Sequence, residues 1–526
     1  MTRSADEVGA GLAAPRAPRQ IRAGERIHVV GAAGAGASAA ALLGRAAGAI
    51  VSGCDPGGPS PYSAALEALG IPVAWGHDPS HVTTPPTPDR LAVTKALTAI
   101  APDHPELVAA RGAGIPVEPW QQVVADAAYG RRLVAVAGTH GKSTSSGWLV
   151  HLLTSAGMDP SAFVGALLPA TISGGPPATA RVGHGEAFVV EADEYAGNFD
   201  PFRPEIAVLT SAEWDHPDVF ADRAAVLSAF EGWIRRMPSG AVLVANVADA
   251  GVAEIVARLT DWPGRLVVTA LDHARSGTTA QAEATVVSPT RLAERFATAG
   301  GTTRALLGRV TRAAPSGTRL EITGLDGSAE PSVVELPTVG DHNAANALGV
   351  AGAALALGVA PEAVKEGLAT FPGVGRRLEY KGEAAGVAVY DDYGHHPSAI
   401  RATLAAIRQR EPGRRVWAVY EPLTYHRTAA LLDAFAAALA EADAVAVADI
   451  WAGRDTDTSV ASSAGLAAAV SSVRPGIVAE APGSVTATAA WLAGHVRRGD
   501  VVLVMGGGAS YRIGELLLGL LAETGA

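Results

Sequence analysis

Short apolar runs alternate with glycine turns and Ala/Leu-rich amphipathic stretches along most of the chain. Arg26 to Val30 reads as a strand that runs into Gly31-Ala-Ala-Gly34-Ala-Gly36, followed by a helix to about Ala47 and a strand at Ala49 to Ser52. That βαβ opening implies a parallel sheet. The pattern restarts at Leu133 to Ala137, with the loop Gly138 to Thr144 and a helix to about Ala156. Further strands are expected at 187–190, 206–210 and 241–246. Over 266–337 the pattern changes to short β-type runs, such as Arg319 to Thr323 and Ser332 to Leu336, around the turn Gly324-Leu-Asp-Gly327, as in an antiparallel edge or hairpin. Helices follow at roughly 342–357 and 361–369. A third series places strands at 387–390, 416–420, 444–448 and 501–505. The pattern predicts three consecutive α/β domains.

Length agrees, since 526 residues at about 150 per domain give roughly three to four domains. Residues 1–24 lack an apolar segment of the signal-peptide kind and read as a disordered tail. No window approaches about 18 consecutive apolar residues, so no membrane insertion is expected. A net charge of −11 without basic runs argues against nucleic acid as a partner. With Cys54 alone, neither an intrachain disulfide nor a cysteine-based zinc site is expected, which suits a cytoplasmic location. Only four of the 41 basic residues are lysine: Lys95, Lys142, Lys365 and Lys381.

Candidate chemistry gathers at the glycine turns and strand ends. Gly31, Gly34 and Gly36 would let a diphosphate approach a helix N-terminus, with Asp55 at the next strand end placed to accept from a ribose hydroxyl. The G-x-x-G-x-G spacing differs from the usual dinucleotide pattern, so a plain turn and a nucleotide site both stay open. The Gly138-Thr139-His140-Gly141-Lys142-Ser143-Thr144 loop is more specific. Its amides can cradle phosphates, Lys142 adds a mobile cation, and the Ser143 hydroxyl can ligate Mg²⁺. Acidic groups follow two strands, at Glu191-Ala-Asp193-Glu194 and Glu213-Trp-Asp215-His216. A single strand-end acid is usually a helix cap, whereas two clusters behind a phosphate loop favour Mg²⁺. The pair His395-His396 has no third partner at ligand spacing, so it reads as a substrate-positioning feature rather than a zinc site. Arg376, Arg377 and Arg427 are candidate anion clamps, or surface arginines.

Together these segments resemble the Mur ligase family. Ala137 to Thr144, Glu191 to Glu194, Glu213 to His216, His342-Asn343-Ala-Ala-Asn346, Gly375-Arg-Arg377 and Asp391 to Pro397 occur in that family's order, and the likeness runs from about residue 25 to the C-terminus. The resemblance implies a Rossmann-like N-terminal domain (25–130), a central P-loop ATPase-like domain (131–373) and a Rossmann-like C-terminal domain (374–526). It implies an ATP- and Mg²⁺-dependent amide ligase. The member it points to joins L-alanine to the lactyl carboxylate of UDP-N-acetylmuramate through an acyl phosphate and a tetrahedral intermediate.

The resemblance also assigns roles. Lys142, Glu191, His216, His395 and Arg427 would be catalytic, and Ser143, Glu191 and His216 would hold metal. Gly138 to Thr144, His342, Asn343, Asn346 and Arg377 would bind ATP. Gly31, Gly34, Gly36, Ser38, Asp55 and His77 would bind the UDP-sugar. Tyr393, His395 and Arg427 would face the acceptor and amino acid. Where the family commonly has Phe-Gln-Pro-His-Arg-Tyr, this chain has Tyr420-Glu-Pro-Leu-Thr-Tyr425, and Tyr195 stands where serine is common. A ligase of murein tripeptide and a nucleotide-binding regulator without turnover are the alternatives. A dinucleotide-dependent oxidoreductase would leave the phosphate loop and both acidic clusters without a role.

Overall fold

The computed structural model describes residues 3–272, 303–455 and 457–524, and in it the apolar runs become three separate sheets. Residues 273–302, part of the stretch whose character changes, lie outside the described residues.

The first sheet is wholly parallel. Its order is Val73–Ala74, Ile50–Cys54, Arg26–Val30, Arg90–Val93 and Val117–Pro119. Chain order reverses on either side of Arg26–Val30, and in doubly wound sheets ligands bind beyond the strand ends at such a point. Gly31 leaves that strand end with φ of 82°, a conformation that favours glycine.

The middle sheet has ten strands. At its centre Arg132–Ala137 lies between Ala187–Ala192 and Ile206–Leu209, all parallel. These strands are buried along their length, as continuous apolar runs between helical layers should be. Their adjacency brings both acidic clusters beside the loop that follows Ala137. The sheet continues through Val242–Asn246 and Arg265–Asp272 to Thr303–Ala314, still parallel. Only then does it turn antiparallel, through Gly317–Thr323 and Ser332–Leu336. The expected hairpin is thus the edge of a longer sheet.

The third sheet runs Glu379–Ala384, Val387–Asp392, Val501–Gly506, Val416–Glu421, Ala444–Ala448 and Val478–Gly483, with only the first pair antiparallel. The loops after Asp392, Glu421 and Ala448 carry residues that touch the middle domain. Pro397 at the first helical position and His396 as its cap fix where the first of these loops ends.

The N-terminal segment corrects the expectation of a disordered tail. Ala5–Val8 is a short helix capped by Ser4, and the Thr98 hydroxyl donates to Val8 O. Arg16 forks onto Glu118 (2.8 Å) and Asp126 (2.6 Å), and Arg19 reaches Glu25 (2.6 Å). The tail looked featureless because the partners of Arg16 lie about a hundred residues away.

Those acids are shared with Arg90, which is 2% exposed and lies 3.0 Å from Glu25, 2.8 Å from Glu118 and 2.6 Å from Asp126. Removing one partner of a buried ion network leaves uncompensated charge, at a cost of about 3–5 kcal/mol. Arg90→Met should therefore lower the first-domain unfolding transition far more than Arg16→Met. Equal, small shifts in calorimetry would refute the network's role.

Candidate active site

The loop after Arg132–Ala137 is held by packing as much as by conformation. A Cβ at Gly138 would lie 2.3 Å from Thr210 Oγ1, and one at Gly141 would lie 2.5 Å from Asn346 Oδ1. His140 N–H donates to Ser211 Oγ (2.9 Å), and Glu213 N–H donates to Thr139 Oγ1 (2.8 Å). Gly141 has φ of 80° and caps the helix Lys142–Ser155, so Ser143 and Thr144 stand in its first turn. Helix N–H groups without internal partners make this end an anion cradle.

Lys142 Nζ donates to Gly138 O (2.7 Å) and lies 3.2 Å from Glu194 and 3.4 Å from Asp193. Burial disfavours its charge, yet Glu194, Asp193 and Glu191 outweigh burial and hold it firmly protonated. Burial pushes Glu194 up, with Asp193 and Asp215 adding to it, and Lys142 opposes the shift.

The three residues expected to share metal fall into two groups. Ser143 Oγ donates to Glu191 Oε1 (3.0 Å), and Glu191 Oε2 accepts from Gly165 N–H (2.6 Å). His216 instead joins Asp193 and Glu194, with one donor atom of each within 4.8 Å of the others. Burial drives the His216 imidazole down to about 4, so it is neutral near pH 7 with a lone pair to offer. Both groups suit a hard cation, the first through a carboxylate and a hydroxyl and the second through two carboxylates and an imidazole, and Lys142 pairs with the two acids of the second.

The third domain closes directly onto this site. Arg377 Nη2 donates to Ser143 Oγ (2.7 Å), and its guanidinium lies 5.0 Å from the centre of the Tyr393 ring. Ser398 Oγ donates to Glu213 (2.6 Å). Arg427, 2% exposed, sits 2.8 Å from Asp215 and donates to His216 Nδ1 (3.0 Å). Its buried Nη1 has no hydrogen-bond partner among the described residues. His395 Nε2 lies 3.8 Å from the same Asp215, and burial together with Arg427 holds that imidazole well below its ordinary range. Asp215 is therefore the hub of this junction. Arg454 completes it, bound to Asp218 (2.6 Å) and stacked 4.0 Å over Tyr195. Sequence reasoning placed Asp215 inside a cluster without giving it a role, and it passed over Arg454, which has no local motif.

Three junction residues have left-handed backbone without being glycine: His216 (φ 55°), Arg376 (φ 57°) and Thr424 (φ 64°). Such strain costs on the order of 1–3 kcal/mol each and concentrates where surrounding structure is built for function.

Toward the first domain lies a cleft of about 1440 Å³, walled by all three domains through Ala33, Asp55, Tyr62, Asn343, Arg376 and Tyr393 among others. Tyr62 and Arg376 both line this cleft, and Arg376 pairs with Asp391 (3.1 Å). Asn343 donates to Val339 O (2.9 Å), and Asn346 donates to Asn343 Oδ1 (3.3 Å) beside Gly141. His342 packs against Gly340, and burial lowers its pKa. Asp55 accepts from Ala33 N–H (3.0 Å) and Gly57 N–H (2.8 Å), which shapes the glycine turn. Gly34 caps the helix Ala35–Ala46 at the cleft wall.

Three expected sugar-nucleotide residues have other surroundings. A Cβ at Gly36 would strike Trp120 at 2.1 Å, so packing requires that glycine. Ser38 is fully buried against Thr179 Oγ1 (3.0 Å) and pins the first domain to the middle one. His77 does not line the cleft, and its Nδ1 faces Cys54 Sγ (3.3 Å) and Glu106 (3.4 Å).

Three domain signatures match in chain order: Mur ligase family, catalytic domain, over residues 26–132; Mur ligase middle domain, over 136–354; and Mur ligase, glutamate ligase domain, over 376–508. A UDP-N-acetylmuramate–L-alanine ligase of Frankia casuarinae is 37% identical over 525 residues, covering 95% of this chain and 99% of its own. The chain belongs to the Mur ligase family. Another Mur ligase relative, the UDP-N-acetylmuramate–L-alanine ligase of Kineococcus radiotolerans, is 38% identical over 95% of this chain and 96% of its own. The Mur ligase fold is also seen in the crystal structure of UDP-N-acetylmuramate-alanine ligase from Thermotoga maritima, with TM-score 0.71 and 22% identity over 95% of this chain and 99% of that one. The murein peptide ligase of Psychrobacter arcticus has the same fold, with TM-score 0.69 and 24% identity over 95% and 99%. Among the described residues of this Mur ligase, no helix is long and apolar enough to cross a membrane.

Proposed function

We propose that this Mur ligase couples ATP cleavage to amide formation between L-alanine and the lactyl carboxylate of UDP-N-acetylmuramate. The observation that carries the reading is that relatives matched nearly end to end bear that one activity as their name. The geometry supports it by bringing a phosphate-loop lysine, two cation-ready clusters and arginines of the third domain to one junction.

The chemical difficulty is that the acceptor carboxylate and the ATP γ-phosphate repel each other. Lys142 and the first-turn amides of its helix would hold the phosphates. Arg377, poised over Ser143, would close the nucleotide side, with His342, Asn343 and Asn346 toward the base. Mg²⁺, when bound, supplies the charge that lets two anions meet. Ser143 with Glu191, and Asp193 and Glu194 with His216, are the residues that would hold it. The carboxylate oxygen attacks the γ-phosphorus and ADP leaves. The amine of L-alanine then attacks the acyl phosphate, and the tetrahedral intermediate collapses with loss of phosphate. Arg427, through its unspent Nη1, would meet the negative charge on the acceptor and intermediate. His395, neutral by burial, would take up a proton from the attacking amine. The sugar nucleotide would lie along the cleft, its UDP end at Gly31, Gly34 and Asp55. Closure of the third domain keeps water from the acyl phosphate.

Phosphate release from ATP and Mg²⁺ tests this directly. UDP-N-acetylmuramate is supplied with L-alanine, glycine, L-serine or murein tripeptide, each also without the sugar nucleotide. Release that requires both UDP-N-acetylmuramate and L-alanine is expected. Release with the tripeptide alone would replace the reading with a recycling ligase, and Tyr195 beneath Arg454 would be the first residue to exchange. No release with any pair would make the protein a nucleotide-binding regulator.

A further inference from the structure

Behind the glycine turn of the first domain, four chain segments direct metal-binding atoms at one another. His28 stands in the strand Arg26–Val30 and Cys54 ends the strand Ile50–Cys54. His81 lies on the short helix Ser80–Thr83, and Glu106 in the first turn of Pro105–Gly112. His28 Nε2 is 3.4 Å from Cys54 Sγ, Cys54 Sγ is 3.2 Å from Glu106 Oε2, and His81 Nδ1 is 2.7 Å from Glu106 Oε1. One donor atom from each of the four lies within 4.8 Å of the others. From these observations we infer that His28, Cys54, His81 and Glu106 form a structural zinc site. It is independent of the ligase reading above.

Geometry, charge and surroundings agree. Tetrahedral zinc with bonds of about 2.0–2.3 Å holds its donors about 3.2–3.8 Å apart; the two sulfur separations, 3.4 and 3.2 Å, fall in that range, and the His81–Glu106 pair at 2.7 Å is shorter. One thiolate and one carboxylate cancel the charge of a dication, and two neutral imidazoles complete the set. The sulfur and imidazole donors favour zinc over the Mg²⁺ expected at the phosphate loop. His28 is 3% exposed, while Cys54 and Glu106 are fully buried. The outer contacts are of the kind that orient ligands. His28 Nδ1 meets Ser52 Oγ (2.9 Å), His77 Nδ1 faces the sulfur, and Asp78 N–H donates to Glu106 (2.8 Å). A second imidazole, His104, is buried beside His77 and Glu106, and its Nδ1 has no partner among the described residues. Six titratable groups gather here, four of them buried (His28, Cys54, His104 and Glu106), around a single carboxylate.

The site would also matter to the cleft. Cys54 O accepts from Gly31 N–H (2.9 Å) and Ala32 N–H (3.1 Å), so a metal on Cys54 braces the glycine turn beside Asp55. A single cysteine suffices for this site, because two histidines and a glutamate supply the remaining donors.

The test uses untagged full-length protein. Elemental analysis should find one zinc per chain retained through gel filtration. Exchange with Co²⁺ should give a thiolate-to-cobalt charge-transfer band, which Cys54→Ser abolishes. His81→Ala, at a partly exposed position, should weaken zinc binding by about tenfold or more. Glu191→Gln, at the phosphate loop, should leave stoichiometry and band unchanged. Substoichiometric zinc with no cobalt–thiolate band would overturn the site. So would metal retention that neither Cys54→Ser nor His81→Ala alters. If Cys54→Ser fails to fold, the His81→Ala titration decides.

Discussion

Lys142→Ala is expected to lower kcat by at least about 10³-fold, close to complete loss of turnover. Loss of one preorganised group that stabilises transition-state charge costs about 10²–10³ in rate. Here the group carries a full charge and is the only lysine between Lys95 and Lys365, so no neighbouring ammonium can replace it. It also pairs with the half-buried Asp193 and the buried Glu194, which its removal would leave with one cation fewer. A fall in rate could then be blamed on a disturbed fold. Lys142→Arg separates the two effects. It keeps the positive charge beside both acids, so its thermal transition should stay near that of the parent. Its planar fork cannot reproduce a point charge at the end of a flexible stem, so its turnover should remain lost. Wild-type-like phosphate release by either variant would remove Lys142 from the nucleotide site.

Regular elements were legible wherever a short apolar run met a glycine turn. The strand Arg26–Val30 has the bounds its pattern gives, and the phosphate loop sits between two acid-tipped strands because buried parallel strands read as unbroken apolar runs. The parallel continuation through Thr303–Ala314 was missed, since that strand interrupts its apolar residues with Arg304, Arg309, Thr311 and Arg312 and so does not read as an unbroken apolar run. What the residues could not disclose was long-range pairing. Arg16 finds Glu118 and Asp126, Arg454 finds Asp218, and His77 turns toward Cys54 and Glu106. Each contact joins segments with no common motif, so none leaves a local trace. Gly36 teaches a related point, because a glycine in a nucleotide-like turn can be there to admit Trp120.

Arg427→Ala is expected to damage use of the acceptor carboxylate and the amino acid by about 10²–10³-fold in kcat/KM while shifting the KM for ATP only slightly. The asymmetry follows from position. Arg427 belongs to the third domain, yet its contacts in the middle domain are Asp215 and His216 rather than the phosphate loop. Its buried Nη1 has no hydrogen-bond partner among the described residues. The variant also strands the buried Asp215 carboxylate, which Arg427 and the nearby imidazoles hold well below the usual carboxylate range. Arg427→Ala should therefore lose stability, and Asp215→Asn placed on top of it should restore part of that stability without restoring the rate. A rescue of both would mean that Arg427 serves only to neutralise Asp215. Equal losses toward ATP and acceptor would move Arg427 from the acceptor side of the junction to the nucleotide side. An acceptor-selective loss that survives the Asp215→Asn rescue would tie the third domain's closure to the reacting carboxylate itself.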